Sequence, residues 1–153
     1  MRAVIQRVTR AEVSVDGEVV GRVPPECGGL LVLVGVADGD DSADAEWMAR
    51  KIAHLRVMPD AEGRMNRSVV ECGGALLLVS QFTLLGDARK GRRPSFDRAA
   101  LPAVAVPLLE TVRLHLLSEG IPVETGRFGA HMEVGLVNDG PVTLVLDSAE
   151  RSR

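Results

Sequence analysis

The sequence predicts one α+β domain of mainly antiparallel strands with two principal helices. Turn signals divide the first third into short strands, two nearly continuous apolar runs are typical of buried strands, and two longer segments have helical spacing. A chain of 153 residues builds one hydrophobic core, so we expect a single domain over residues 1–153. Tyr is absent and aromatic residues make up 3%, so the expected core is aliphatic.

The first third predicts a β-meander. Asp16-Gly17 is a two-residue hairpin signal, and Pro24-Pro25 stops a strand because proline cannot donate to a sheet. The next run has almost no polar side chain, which predicts a strand in the sheet interior. The strands expected here are residues 2–8, 11–15, 18–23 and 29–36.

Two later segments, residues 43–58 and 96–119, have the spacing of helices. Pro102 suits a first helical turn, Pro107 should kink or delay the helix, and Gly120 is a natural stop. Further strands are expected at residues 75–82, 122–125, 131–137 and 142–147. The predicted order is four strands, a helix, a strand, a helix and three strands.

Charge and hydropathy exclude some classes of protein. Lys and Arg total 18 against 21 Asp and Glu, a formal charge of −3. This balance argues against a broad cationic face on duplex nucleic acid, but it allows a local basic patch. No segment has the pattern of a signal peptide, and the apolar run at residues 28–37 is too short to span a bilayer. We therefore expect a cytoplasmic chain.

Metal and cysteine chemistry are not expected. Cys27 and Cys72 lack C-x-x-C spacing and are expected to be free thiols, with a catalytic cysteine as an open alternative that lacks an adjacent base. His54, His115 and His131 have no ligand spacing, which favours surface or packed histidines over metal ligands or bases. We expect neither a metal nor an organic cofactor.

Three segments carry candidate chemistry, and the first is SQFTL at residues 80–84. It ends a buried strand, where polar side chains often face a cleft. Ser80 or Thr83 can serve as a nucleophile, although no partner base is evident. On the residues alone, we favour a strand end whose hydroxyls satisfy backbone groups.

The other two segments are a basic run and a turn. Four cations in five positions surround a glycine: Arg89, Lys90, Arg92 and Arg93. The N–H donors of an arginine fork match the spacing of phosphate oxygens, so this loop suits phosphate contacts. A solvated loop without a ligand is an alternative of equal weight. NDGPVT at residues 138–143 predicts a hairpin between two apolar strands, in which the Gly140-Pro141 peptide is either cis or trans.

These segments together resemble the D-aminoacyl-tRNA deacylase family, nearly from end to end. The matching segments are MRAVIQRV at 1–8, MNRSV at 65–69, SQFTL at 80–84, KGRRPSF at 90–96, GRFGAHM at 126–132 and NDGPVT at 138–143. The resemblance implies an α+β homodimer with a barrel-like sheet. It also implies that the substrate is D-aminoacyl-tRNA, met at its 3′-terminal adenosine and acceptor end, and that the ester is hydrolysed.

The resemblance further implies a mechanism of chiral selection. A cis Gly140-Pro141 peptide would enter the active site of the other subunit, where its carbonyl oxygens would accept hydrogen bonds from the substrate α-ammonium. An L side chain would then clash with the motif, whereas glycine would not, so glycyl-tRNA mischarged on tRNA(Ala) is also an expected substrate. Water, assisted by the ribose 2′-hydroxyl, would attack without a protein nucleophile.

Roles for individual residues follow from the same resemblance. The implied catalytic residues are Gly140, Pro141, Thr83 and Gln81, and the implied substrate-binding residues are Ser80, Phe82, Met132, Ala130 and Arg7. Arg7 would brace the Gly-Pro turn of the partner subunit, and the four cations of the basic run would bind tRNA. Two alternatives remain: a non-catalytic module that binds the tRNA end, and a small-ester hydrolase that uses Ser80 or Thr83.

Overall fold

The computed structural model describes residues 1–151. Its strands are β1 (Arg2–Val15), β2 (Glu18–Val23), β3 (Gly29–Gly35), β4 (Met58–Pro59), β5 (Met65–Arg67), β6 (Ala75–Ser80), β7 (Val123–Thr125) and β8 (Glu133–Asp147). Its α-helices are α1 (Ser42–His54), α2 (Val69–Cys72) and α3 (Pro102–Ser118), and 3₁₀ turns cover Phe82–Leu85 and Ser148–Glu150. The predicted α+β class is confirmed. Within residues 1–151, no helix is long and apolar enough to cross a membrane.

Six strands form one strongly curved sheet. The strand order is β2-β1-β3-β6-β7, and β8 pairs with β1. The β3–β6 and β6–β7 pairs are parallel, and the β1 pairs are antiparallel. The two ends of this order approach each other, because the Arg22 N–H donates to Glu124 Oε2 at 2.7 Å. A Cβ on Gly21 would lie 2.6 Å from the Thr125 carbonyl oxygen, so only glycine fits this closure. The sheet is therefore barrel-like, as predicted.

Both faces of the central strands are buried, which explains their apolar runs. In β3 and β6, alternate side chains such as Leu31 and Leu77 face the barrel interior, and Leu30 and Leu76 face the helices. α1 and α3 pack together on that outer face, and Trp47 of α1 packs against the same core while remaining partly exposed. The carboxyl ends of β3 and β6 meet at one rim of the barrel.

The Asp16-Gly17 hairpin is confirmed, but two other predictions about strands are wrong. Residues 2–8 and 11–15 form one strand, because β8 pairs along nearly the whole length of β1. The hairpin expected at residues 138–143 is also wrong, because β8 continues in the same direction on both sides of it. Gln6 pairs with Thr143 and Val8 with Asn138, so the intervening residues of β8 bulge out of the sheet.

The helices are shorter than predicted. α1 ends at His54 rather than at residue 58, because Met58–Pro59 pairs with β5 and a residue before proline avoids the helical region. α3 begins at Pro102 rather than at residue 96, because the Ala100 N–H donates to the Val36 carbonyl at 2.9 Å and holds the preceding chain against β3. Pro107 lies inside α3 and does not delay it.

Candidate active site

An open cavity lies at the carboxyl ends of the parallel strands β3 and β6. It has a volume of about 310 Å³, and Ser80, Gln81 and Phe82 form part of its wall. The rest of the wall comes from the end of β3, the start of α3 and the loop after β7: Val34, Val36, Ala99, Ala100, Pro102, Ala105, Leu109, Phe128 and Gly129. No lining residue is charged, so the cavity suits a flat, largely apolar group with a few polar atoms.

Gly35 allows the strand-end segment to cross the end of β3. A Cβ on Gly35 would lie 2.8 Å from the Gln81 carbonyl oxygen, and the Gln81 N–H donates to the Val34 carbonyl at 2.8 Å. The chain then enters the 3₁₀ turn at Phe82. The opening N–H groups of such a turn have no acceptor within it. The N–H groups of Phe82 and Thr83 are therefore suited to stabilise an oxyanion at the rim.

The Thr83 hydroxyl accepts a hydrogen bond from the Gln81 side-chain amide. The interpretation that the hydroxyls of this strand end satisfy backbone groups stays a prediction, because accepting this bond leaves the Thr83 O–H available to donate. His54 pairs with Glu119 and His115 with Glu46 on the helices, which confirms them as surface histidines rather than partners of Ser80 or Thr83.

Aromatic side chains flank the cavity. The Phe82 ring is 56% exposed and meets Phe96 edge to face, with ring centroids 5.1 Å apart and an interplanar angle of 72°. Phe128 contributes a third ring from the loop after β7. Such exposed rings offer faces on which a planar ligand can stack. The sequence did not single out Phe128, although it lies within the GRFGAHM segment.

The Gly140-Pro141 peptide is cis and exposed, and it lies at the bulge of β8. Arg7 holds the base of this bulge: its Nε donates to the Asp139 carbonyl at 3.2 Å and lies 3.2 Å from Asp139 Oδ2. Arg7 Nη1 also donates to the Val57 carbonyl at 2.8 Å. Arg7 therefore holds the turn of its own chain in place, and its expected contact with the turn of a partner subunit stays a prediction.

The candidate residues form two groups in one chain. Gly140 and Pro141 do not line the cavity formed by the 80–82 segment within the described residues 1–151. Of the GRFGAHM segment, Phe128 and Gly129 line the cavity, whereas Ala130 and Met132 lie outside its wall. Met132 packs against the barrel interior beside Gly126, where a Cβ would lie 2.6 Å from the Met132 sulfur.

The basic run forms an exposed loop between two facing residues. Asp87 and Ser95 exchange backbone hydrogen bonds of 2.8 and 2.9 Å, which close the loop. Arg89 pairs with Asp87, and hydrogen bonds from the Arg89 side chain and backbone hold the pKa of the Asp87 carboxyl far below its usual range. The other cations, Lys90, Arg92 and Arg93, are exposed at the tip. This arrangement suits contact with phosphate groups.

Two other features lie outside this rim. A groove of about 400 Å³ runs along α1 and is lined by Trp47, Arg50, Lys51, His54, Leu55 and Arg56.

Cys27 and Cys72 are free thiols, as predicted. Within residues 1–151, no group of three or more His, Cys, Asp or Glu side chains has an arrangement that could hold a metal ion.

The fold and the rim define a class: an α+β barrel whose candidate site combines an uncharged cavity, aromatic faces and backbone groups. The sequence model of the D-Tyr-tRNA(Tyr) deacylase family matches residues 4–147. The chain belongs to this family. This confirms the resemblance that the six sequence segments indicated.

Relatives in sequence agree with this assignment, and two solved structures are similar to the chain in fold. The chain is 58% identical to the D-aminoacyl-tRNA deacylase of Thermomicrobium roseum, over 98% of this chain and 96% of the relative. It is 59% identical to that of Symbiobacterium thermophilum, over 97% and 96%. The solved c-Myc DNA unwinding element binding protein is 38% identical, with a TM-score of 0.87 over 96% of this chain and 98% of that one. A probable eukaryotic D-amino acid tRNA deacylase shares the fold, with 19% identity and a TM-score of 0.79 over 95% and 97%.

Proposed function

We propose that this chain hydrolyses the ester bond of D-aminoacyl-tRNA, giving a free D-amino acid and tRNA. The uncharged cavity beside the opening N–H groups of the 3₁₀ turn carries this proposal. It matches a substrate with a planar base next to an ester carbonyl. The names of the relatives at 58% and 59% identity support the same substrate class. We propose that residues 1–153 act as one catalytic domain in the cytoplasm.

The terminal adenosine of tRNA fits the cavity in this proposal. Phe82 stacks on the adenine, because exposed aromatic rings bind unpaired bases by stacking. Ser80 and Gln81 supply polar contacts at the same wall. The ester carbonyl then lies at the rim, where the N–H groups of Phe82 and Thr83 stabilise the negative charge of the tetrahedral intermediate.

Water is the nucleophile in this proposal, and the ribose 2′-hydroxyl of the terminal adenosine assists it. An aminoacyl ester is already activated compared with an amide, so a positioned water suffices. The hydrogen bond from the Gln81 amide to the Thr83 hydroxyl supports positioning roles for these two side chains. The pairing of His54 with Glu119 and of His115 with Glu46 supports a mechanism in which neither of these two histidines is the base.

We further propose a homodimer in which Gly140-Pro141 of each chain enters the cavity of the other. Two observations support it: the peptide is exposed and lies outside its own chain's cavity, and β8 is an edge strand. Exposed apolar side chains also lie along this strand: Leu136, Val137, Leu144 and Val145. An unpaired edge with apolar side chains favours pairing with a second copy.

Chirality is read by the Gly140-Pro141 backbone in this proposal. Its carbonyl oxygens accept hydrogen bonds from the α-ammonium, so an L side chain would clash with the peptide and a D side chain would point to solvent. Glycine has no side chain to exclude, so glycyl-tRNA mischarged on tRNA(Ala) is also hydrolysed. Ala130 and Met132 border the entrance, and Arg89, Lys90, Arg92 and Arg93 contact phosphates of the acceptor end.

Hydrolysis of matched D-tyrosyl-tRNA and L-tyrosyl-tRNA by the purified protein, with a chelator present, tests the function. We expect rapid loss of the D ester and survival of the L ester. Survival of both esters would instead support the alternative of a module that only binds the tRNA end. Hydrolysis of free D-aminoacyl esters that Thr83→Ala abolishes would support the small-ester hydrolase.

A further inference from the structure

A second cavity adjoins the proposed adenosine cavity. Its volume is about 300 Å³, and it shares three lining residues with the first: Ser80, Leu109 and Phe128. The two cavities therefore lie side by side and share part of one wall. The proposed function uses only the first of them.

The second cavity differs from the first in charge. The first has no charged lining residue, whereas Glu110 and Arg113 of α3 line the second. Val106, Glu110 and Arg113 are spaced by four and three residues, so they lie along one stripe of the helix. Thr125 adds a hydroxyl from the end of β7. A ligand in this cavity would meet the Glu110 carboxylate, which accepts hydrogen bonds, beside the Arg113 guanidinium, which donates them.

Glu110 and Arg113 form an ion pair with two hydrogen bonds. Arg113 Nε donates to Glu110 Oε2 at 2.8 Å, and Arg113 Nη2 donates to Glu110 Oε1 at 2.6 Å. These bonds lower the pKa of Glu110 and raise that of Arg113, which keeps both groups charged. The pair does not use the Arg113 Nη1 donors, and carboxylate oxygens have further lone pairs. Both side chains are partly exposed and can reach a ligand.

We propose that the second cavity binds the base next to the terminal adenosine, the cytidine of the CCA end of tRNA, and that Glu110 and Arg113 recognise it. This proposal rests on the proposed function, which places the adenosine next door. Cytosine presents an amino donor beside two acceptors, which matches a carboxylate beside a guanidinium. Uracil presents a carbonyl and an N–H in the corresponding places, so a carboxylate would face an acceptor. The site therefore distinguishes the two pyrimidines.

Three synthetic substrates test this proposal: D-tyrosyl esters of adenosine, of cytidylyl-adenosine and of uridylyl-adenosine. For the wild-type protein, we expect kcat/KM for the cytidylyl ester to exceed that for the uridylyl ester about tenfold. This ratio lies in the lower part of the range of discrimination that one side-chain contact to a base provides. Glu110→Gln and Arg113→Ala should bring the two values together. Neither substitution should change hydrolysis of the adenosine ester.

Arg50→Ala is the matched control, because it removes an exposed guanidinium from α1 outside both cavities. It should keep the preference for cytidine, and thermal melting should show that all three variants fold. Equal wild-type rates on the cytidylyl and uridylyl esters would overturn this subsite while leaving the deacylase function intact. A uniform loss on all three esters in Arg113→Ala would overturn it as well. If the wild type hydrolyses D-tyrosyl-tRNA but none of these three esters, the subsite is overturned and the function stands. If it hydrolyses neither the tRNA ester nor these esters, both proposals fail.

Discussion

Two of the three Asp-Gly dipeptides in the chain, Asp16-Gly17 and Asp139-Gly140, lie between apolar strand segments, and they have opposite outcomes. At Asp16-Gly17 both residues have positive φ, 51° and 81°, and the chain reverses from β1 into β2. At Asp139-Gly140 the chain does not reverse, and β8 continues along β1. A Cβ on Gly17 would meet nothing within 4 Å, whereas one on Gly140 would lie 3.2 Å from Arg7 Nη2 and 3.0 Å from the Val142 nitrogen.

The difference shows what each turn does. The first only joins two strands, so its surroundings are open solvent and its sequence needs to satisfy backbone geometry alone. The second projects from a strand that is already paired, and a guanidinium that is 12% exposed holds its base. Substitutions in the two turns should therefore separate stability from activity.

Gly140→Ala should have the largest effect. Its φ of 127° disfavours an L side chain, and the new Cβ would push against Val142 and Arg7, so the turn must move. We expect kcat/KM for D-aminoacyl-tRNA to fall about 100-fold, the cost of a small misplacement at a reacting centre. The measurement is steady-state deacylation alongside thermal melting.

Gly135→Ala on the same strand is the control, because its Cβ would find only the Glu12 side chain, at 3.9 Å. That variant should keep wild-type activity. Full activity of Gly140→Ala would show that the second turn, like the first, does not contribute to catalysis.

Arg7→Ala should have the next largest effect. It removes the hydrogen bonds that tie Asp139 and Val57 together, so the bulge loses its fixed position. We expect kcat/KM for D-aminoacyl-tRNA to fall about tenfold, consistent with loss of hydrogen bonds from a charged group. The fall should appear mainly in kcat with D-aminoacyl-tRNA, since the proposed adenosine cavity is unchanged.

Arg10→Ala removes an exposed arginine from the same strand and provides the comparison. If both variants lose activity equally, Arg7 acts through overall charge and not through the turn. A rise in KM alone after Arg7→Ala would also argue against positioning.

Gly17→Ala should have the smallest effect. The open surroundings accept the methyl group, but the positive φ costs about 1 kcal/mol for a residue with a Cβ. Chemical denaturation should show this loss in the free energy of unfolding, with deacylation unchanged. Lost activity at full stability would mean that the first turn also contributes to the site.

The sequence predicted the elements that local pattern determines. The apolar run of β3, buried on both faces, and the Asp16-Gly17 hairpin are examples. The continuity of β8 could not be predicted, because it depends on pairing with β1, more than a hundred residues away. The cavity was predicted in part: Ser80, Gln81 and Phe82 are polar or aromatic at a strand end, but Ala105 and Leu109 have the same apolar pattern as core residues of a helix.

The position of Trp47 has a practical consequence for spectroscopy. It is the single Trp of the chain, and Tyr is absent, so intrinsic fluorescence arises almost entirely from one ring. That ring lies on α1, partly buried against the helix-facing core and outside the lining of the proposed adenosine cavity. Its emission should therefore report the detachment of α1 during unfolding and change little when nucleotides bind at the rim. A fluorescent nucleotide would be the complementary probe, and the two signals together would separate folding from ligand binding.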